Sequence, residues 1–307
     1  MNCIAIWCSS KNERGALHSL EAHFNLWKLG KRKNANCFLD IGLMIPNAAK
    51  ISHVNVFIPH FITSSNIEDL GITFRRNPDL ISTLFNEDYR ISSGPQEKIV
   101  DVLDANRDPT FCIYALDLDS DVSVENAFGG STIRIRIPKE LAQKKHYYRI
   151  RLKSPYVASI SQIYTPPNSW LESAFSQTEL VDFRINEKRN LNYSLLERIH
   201  SEGEVSFAKT HLFLMREASD DYIYSHRPPH DSRQLEIDLW KGYIGGDHPL
   251  DKMIAYHWKE TGAHSSFSAF VKFRYVRCTR STIAIFIAII IILGFLSGFL
   301  ANFVFLP

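Results

Sequence analysis

The plainest hydrophobic pattern lies at the C-terminal end. From Ser281 to Pro307 no residue is charged, and between Ile283 and Leu306 the only polar side chains are Ser297 and Asn302. A helix rises about 1.5 Å per residue, so roughly twenty residues cross the ~30 Å hydrocarbon core of a bilayer. A soluble helix of this length carries a polar stripe, and this run has none. The pattern predicts a transmembrane helix over 281–306.

Lys272, Arg274, Arg277 and Arg280 precede the run, together with Tyr275. A basic, aromatic flank of this kind orients the preceding chain toward the cytosol and attracts anionic lipid. The expected layout is a tail-anchored, single-pass membrane protein with its N-terminal region cytosolic, at the inner membrane if the cell is bacterial. Gly294 and Gly298 are four apart, and Ser297 and Ala301 repeat that spacing on an adjacent face. Small residues let helix backbones approach closely in lipid, so this face predicts homo-oligomerisation. Asn302 is a further candidate, because an amide in hydrocarbon seeks a partner helix or the headgroups.

Upstream, the patterns are shorter. Leu17, Leu20, Phe24 and Trp27 stand at the i, i+3, i+7 spacing of an amphipathic helix, predicted over 14–29. FLDIGLMI (38–45) and VNVFIPHFI (54–62) read as strands, with Pro59 marking an edge or end. NIEDLGITF (66–74) predicts a short helix. Asn77 before Pro78 predicts another helix start, over PDLISTLFN. PTFCIYALDLD (109–119) reads as a strand.

STIRIRIP (131–138) alternates with Ile133, Ile135 and Ile137 inward and Arg134 and Arg136 outward. HYYRIRLK (146–153) alternates in the same way. The two predict an antiparallel pair joined by a helical PKELAQKK. Arg134, Arg136, Arg149, Arg151 and Lys153 would then share one cationic face, solvated or salt-bridged.

The double proline at 166–167 predicts an internal boundary. Beyond it VDFRINEKRNLN, SLLERIHSEG and VSFAKTHLFLMRE read as strand, helix and strand. DFRIN followed by an apolar strand resembles FLDIGLMI followed by HVNVFIPHFI, which suggests an internal duplication. LEIDLWKGYIGG reads as a helix ended by glycine. MIAYHWKE and FSAFVKFRYV lead into the terminal helix.

Alternating strands with short helices between them predict an α+β region, mostly antiparallel sheet with flanking helices, followed by one transmembrane helix. An N-terminal region over 1–160 and a second over 161–275 form either two units or one continuous domain.

Composition narrows the function. With 35 Lys and Arg against 33 Asp and Glu, the charge is nearly balanced and no nucleic-acid partner is expected. Twenty Phe and twelve Tyr suit an ordered body rather than a disordered tether. Five cysteines, with no CxxC pair, suit free thiols in a reducing compartment. Juxtamembrane Cys278 is a candidate for palmitoylation in a eukaryotic cell, with an unmodified thiol the simpler reading.

No GxSxG, Walker A, GxGxxG or HExxH signature is present, and no cofactor is expected. Asp117, Asp119 and Asp121 stand at alternate positions, as at the start of a calcium loop. Val122 and Phe128 occupy the places where such a loop has Gly and Glu. An acidic turn is the simpler reading, and a metal site the alternative. His226 and His230 are also candidate metal ligands, although Pro228 and Pro229 prevent a helix from aligning them. His257 and His264 titrate near neutrality when unperturbed, and nothing in the sequence pairs them.

These features favour a non-enzymatic membrane protein. A cytosolic α+β domain senses or binds a partner, such as a cytosolic protein, and controls association of the membrane helix. Bacterial stress- or defence-type membrane effectors share that layout. The alternatives are a membrane-tethered metal-dependent hydrolase and a passive membrane scaffold.

Overall fold

A computed structural model describes residues 3–11, 15–30, 36–85, 87–93, 98–138, 145–164, 176–245, 252–276 and 280–305. The chain is mixed α+β and rich in sheet. The strands of the first part are β1 (Ala5–Ser10), β2 (His18–Leu29), β3 (Asn36–Ile45), β4 (Ile51–Ile58), β5 (Ile67–Asp69), β6 (Arg90–Ser93), β7 (Ile99–Leu103), β8 (Pro109–Tyr114), β9 (Val122–Ala127), β10 (Gly130–Arg136), β11 (His146–Leu152) and β12 (Ser161–Tyr164). Those of the second are β13 (Ser176–Ile185), β14 (Val205–Glu217), β15 (Asp220–Ser225), β16 (Asp231–Gln234), β17 (Met253–His264) and β18 (Phe267–Val276). The α-helices are α1 (Gly71–Arg76), α2 (Asp79–Phe85), α3 (Pro155–Ser159), α4 (Tyr193–Glu202), α5 (Ile237–Ile244) and α6 (Arg280–Phe305).

A long central sheet runs β16-β17-β14-β2-β3-β11-β8-β7-β6, with β5 also on β11. Two four-stranded sheets, β1-β4-β10-β9 and β12-β13-β18-β15, flank it. One face of the central sheet packs on both small sheets: Leu20, Phe24, Ile41, Leu43, Ile150 and Leu214 meet Ile6, Val56, Ile133, Phe183 and Val271 in one apolar core. The opposite face carries Trp27, Phe38, Met44, Tyr147 and Met215 and is covered by α1, α2 and α5 through Phe74, Leu80, Ile81, Trp240 and Tyr243. Central strands apolar on both faces are what a sheet sandwiched between layers requires.

Both parts of the chain use the same connection. β1 pairs antiparallel with β4 while β2 and β3 form an antiparallel pair in the central sheet. Likewise β13 pairs with β18 while β14 and β17 pair in the central sheet. The two units meet where β2 and β14 run parallel, and at a bridge between Ile4 and Ile185. The equivalent strands are therefore β1 with β13 and β2 with β14. The resemblance of β3–β4 to β13–β14 in sequence does not match this, since β3 is central and β13 is in a flanking sheet.

Several sequence expectations are corrected. Residues 18–29 form a strand, not a helix. β10 and β11 do not pair: β10 joins β4 and β9, and β11 joins β3, β5 and β8. Arg149 and Arg151 accordingly leave the expected cationic face and are buried in the core. Within 66–74, β5 precedes α1, which starts only at Gly71. The connection at 139–144 and the double proline at 166–167 lie outside the described residues.

Other expectations agree with the structure. Ile133, Ile135 and Ile137 are buried while Arg136 is exposed. α2 follows Pro78, and the strand, helix and strand of β13, α4 and β14 are present. Asn192 caps α4, its side chain accepting from the Ser194 amide at 2.9 Å. Gly203 ends α4 at φ 146°, where an added Cβ would stand 2.7 Å from the Cys8 carbonyl oxygen. Three residues separate β18 from α6, and the α6 segment Ile283–Ala301 is 19 residues, none of them buried within the protein.

Candidate functional site

The helical cover leaves part of the central sheet open. There a cleft of about 380 Å³ runs between α2, β8 and the strands β2, β14, β16 and β17. Strand pairing explains its lining. Along β2 the even residues Leu20, Ala22 and Phe24 face the apolar core, so Glu21 and His23 face the helical side. The parallel register puts His211 of β14 beside His23 and Lys209 beside Glu21. The antiparallel register of β17 adds Lys259 opposite His211, and His257 opposite Phe213. β16 brings Asp231 opposite His257.

Four imidazoles thus come from four distant segments. His211 Nδ1 is 3.0 Å from His257 Nε2, and the two rings stack. Phe213 stacks on the His257 ring at 4.2 Å between centroids. His23 meets His211 edge-on at 4.9 Å, and His230 meets His257 edge-on at 5.7 Å. Across the cleft, Phe85, Tyr89 and Phe111 make a wall of edge-to-face contacts, with buried Tyr147 packed against Phe85 and Phe111.

Three of these histidines, His23, His211 and His257, are held in the neutral form. Burial lowers the His211 pKa to about 4, helped by Lys259, Lys209 and His230. Burial lowers His257 to about 3, helped by His211, His230 and Lys259, with Asp231 acting the other way. His23 also falls well below its ordinary value, through burial first and then His211, Arg149 and Lys209. Low dielectric and neighbouring positive charge act in the same direction here.

Behind the aromatic wall lies a buried polar network. Arg149 Nη1 donates to Tyr147 Oη at 2.8 Å, and its Nε donates to Tyr243 Oη at 2.6 Å. Tyr243 Oη donates to Asp40 Oδ2 at 2.8 Å, as does Trp27 Nε1 at 2.9 Å. Arg151 Nε donates to Asp40 Oδ1 at 2.7 Å. The Tyr147 hydroxyl reaches His23 Nδ1 at 3.4 Å, so the network touches the cleft. Arg149 and Arg151 share the one carboxylate of Asp40, which leaves this buried cluster with one excess positive charge. Arg149 Nη2 has no hydrogen-bond partner among the described residues and stands 4.0 Å from Asp40 Oδ2. Gly42 makes room for the cluster, because a Cβ there would come within 2.1 Å of Tyr147 Oη and 2.9 Å of Arg149 Nη1.

The residues singled out from sequence lie in several places. Asp117, Asp119 and Asp121 form a turn: the Asp121 amide donates to the Asp117 carbonyl, and the Asp119 amide donates to Asp117 Oδ1. Asp121 pairs with Arg136 at 2.8 Å, and Lys98 lies 3.5 Å from Asp117 and 3.6 Å from Asp121. His226 is held away from the cleft by β18, its Nδ1 accepting from the Phe270 amide at 3.2 Å. His230 instead joins His257. His264 contacts Thr210 Oγ1 at 2.8 Å. Among the described residues no three histidine, cysteine or carboxylate side chains are grouped to hold a metal ion.

Gly294, Ser297, Gly298 and Ala301 lie exposed on α6, with nothing within 4 Å of a Cβ built at either glycine. Asn302 is also on α6, Lys272 and Arg274 are on β18, and Arg280 opens α6. Arg277 and Cys278 are outside the described residues. Cys3, Cys8, Cys37 and Cys112 are not in disulfide bonds.

His23 and His211 carried no local signal in the sequence. Their one trace is a polar residue at alternate positions within apolar strands, EAHFNLW and KTHLFLM. No protein-family model matches the chain, and no curated protein sequence matches it. The functional reading therefore rests on the cleft and the terminal helix.

Proposed function

We propose that the protein is a single-pass membrane protein in which α6 spans the bilayer and the α+β body, held on the cytosolic side, is a binding module that controls association of α6. The observation that carries this reading is α6 itself: 19 consecutive residues, long and apolar enough to cross a bilayer, none of them buried in the protein. A helix of that character left in water would expose an apolar surface far larger than soluble monomers tolerate. The bilayer removes it from water, and the GxxxG face offers a contact with a second copy.

Lys272 and Arg274 on β18 lie just before α6 and would meet the headgroups of anionic lipid. The cleft supplies the body with a place to bind a ligand. β17 lines the cleft and leads directly into β18, which leads into α6, so a ligand is linked to the membrane helix through two successive strands.

Alkaline carbonate extraction of membranes tests the anchor. The full chain is expected in the pellet, and a chain ending at Val276 in the supernatant. Full-length protein released by carbonate would overturn the reading.

A further inference from the structure

The cleft combines three features. Its lining holds four cations, Lys145, Lys209, Lys259 and Arg233, against three acids, Glu21, Glu87 and Asp231. The buried Arg149–Arg151–Asp40 cluster behind Tyr147 adds one further positive charge. A charge in low dielectric is felt strongly at short range, so the cleft presents a net positive field. Second, Lys209 stands two residues before His211 on β14 and Lys259 stands opposite His211 on β17; both are exposed, and Glu21 neutralises Lys209 only at 3.7 Å. Third, flat side chains form both walls: Phe85, Tyr89 and Phe111 on one, the stacked Phe213–His257–His211 row on the other.

We propose that this cleft binds a nucleotide, with the phosphates on Lys209 and Lys259 beside His211 and the base against the Phe85–Tyr89–Phe111 wall. The chemistry follows from the lining. Cations and neutral imidazole N–H groups serve phosphate oxygens. Aromatic faces take a base of any sequence, because every base has a π-face. The exposed carboxylates Glu87 and Asp231 repel a bare polyanion but accept hydrogen bonds from ribose hydroxyls or exocyclic amines. A volume of about 380 Å³ falls at the small end of the range for small-molecule sites, which suits one nucleotide rather than an oligonucleotide.

This deepens the reading of the body as a binding module. Its test does not need a bilayer: the full chain in detergent is titrated with adenosine, guanosine, cytidine and uridine 5′-diphosphates, and separately with adenosine and with pyrophosphate. Calorimetry gives the affinity and thermal melting confirms a folded protein. At least one nucleoside diphosphate is expected to bind tenfold or more tightly than either fragment. Lys209→Gln with Lys259→Gln is expected to weaken that binding at least tenfold while leaving the ligand-free melt unchanged, since both side chains are exposed. Phe85→Leu is expected to weaken the nucleoside diphosphate and not pyrophosphate. Folded protein that binds none of the four, or binds one with unchanged affinity after both lysine substitutions, would overturn the proposal. So would pyrophosphate binding as tightly as every nucleotide. Any of these failures leaves the carbonate result standing, and carbonate release of the full chain leaves the titration standing.

Discussion

Asp40 faces two guanidinium groups in a part of the core that water does not reach. Removing one partner of a buried ion pair leaves uncompensated charge and destabilises by about 3–5 kcal/mol. Asp40→Ala, which strands Arg149 and Arg151 together, is expected to lose about that much in chemical denaturation. A loss under 1 kcal/mol would mean that the cluster is solvated. Gly42→Ala forces a methyl group onto Tyr147 and Arg149, and overpacking of that kind destabilises by about 1–3 kcal/mol.

The histidines add a pH dependence. His211 and His257 have folded-state pKa values of about 4 and about 3, below the ordinary 6.5. Between those values the unfolded chain binds more protons than the folded one, so stability is complete above pH 6.5 and falls as the pH drops toward 4. His211→Gln is expected to flatten that slope in denaturation curves measured across this window. An unchanged slope would show that His211 is not held neutral. None of this was visible in the sequence. RIRI and RIRL read identically, and only the pairing of β11 with β3, which brings Asp40 opposite Arg151, separates a buried arginine from a surface one.

At the scale of elements, β2 shows why periodicity misled. Leu20, Phe24 and Trp27 are helically spaced, yet all three are buried because both faces of the strand are covered, Leu20 and Phe24 by one core and Trp27 by the other. Leu17, the first residue of the supposed helical stripe, is 67% exposed. A strand buried on both faces has no alternation to reveal it. β10, whose last turns of the pleat leave Arg134 partly exposed and Arg136 exposed, kept its alternation there and was readable. α6 was readable for the opposite reason, because its length and composition need no partner to interpret. If the Gly294–Gly298 face associates in lipid, Gly294→Ile with Gly298→Ile should shift membrane cross-linking from dimer toward monomer while the melt of the body is unchanged. Equal cross-linking would remove the small-residue face from the account.

Across the whole molecule, the two β units are tied by a buried ion cluster between the central sheet and the sheet that carries β18. Arg216 of β14 forms a bidentate pair with Glu179 of β13 at 2.6 and 3.2 Å, and Lys28 of β2 joins the same carboxylate at 2.5 Å. Burial alone would raise the Glu179 pKa, but the Arg216 and Lys28 charges outweigh it and hold the carboxyl at about 2. Glu179 is thus a depressed acid: its contribution is present above the ordinary carboxylate range and is lost as the pH falls toward 2. Glu179→Gln is expected to destabilise by about 3–5 kcal/mol at neutral pH and to remove part of the acid unfolding below pH 4. The Lys28–Glu179 pairing across 151 residues, like the meeting of His23 with His211, comes from topology and leaves no local mark in the sequence. The apolar run, the balanced charge and the strand-rich middle were legible because each is a property of composition or of a single segment.

In the proposed reading α6 is a membrane helix whose self-association matters, and it is more than a greasy end on the α+β body. Replacement of residues 281–307 by an unrelated polyleucine membrane helix tests it most directly, with the oligomeric state in intact membranes read by cross-linking. Loss of the native oligomer, with the protein still in the membrane fraction and the body still folded, is the predicted result. An oligomer unchanged by the replacement would contradict the claim and move association to the α+β body.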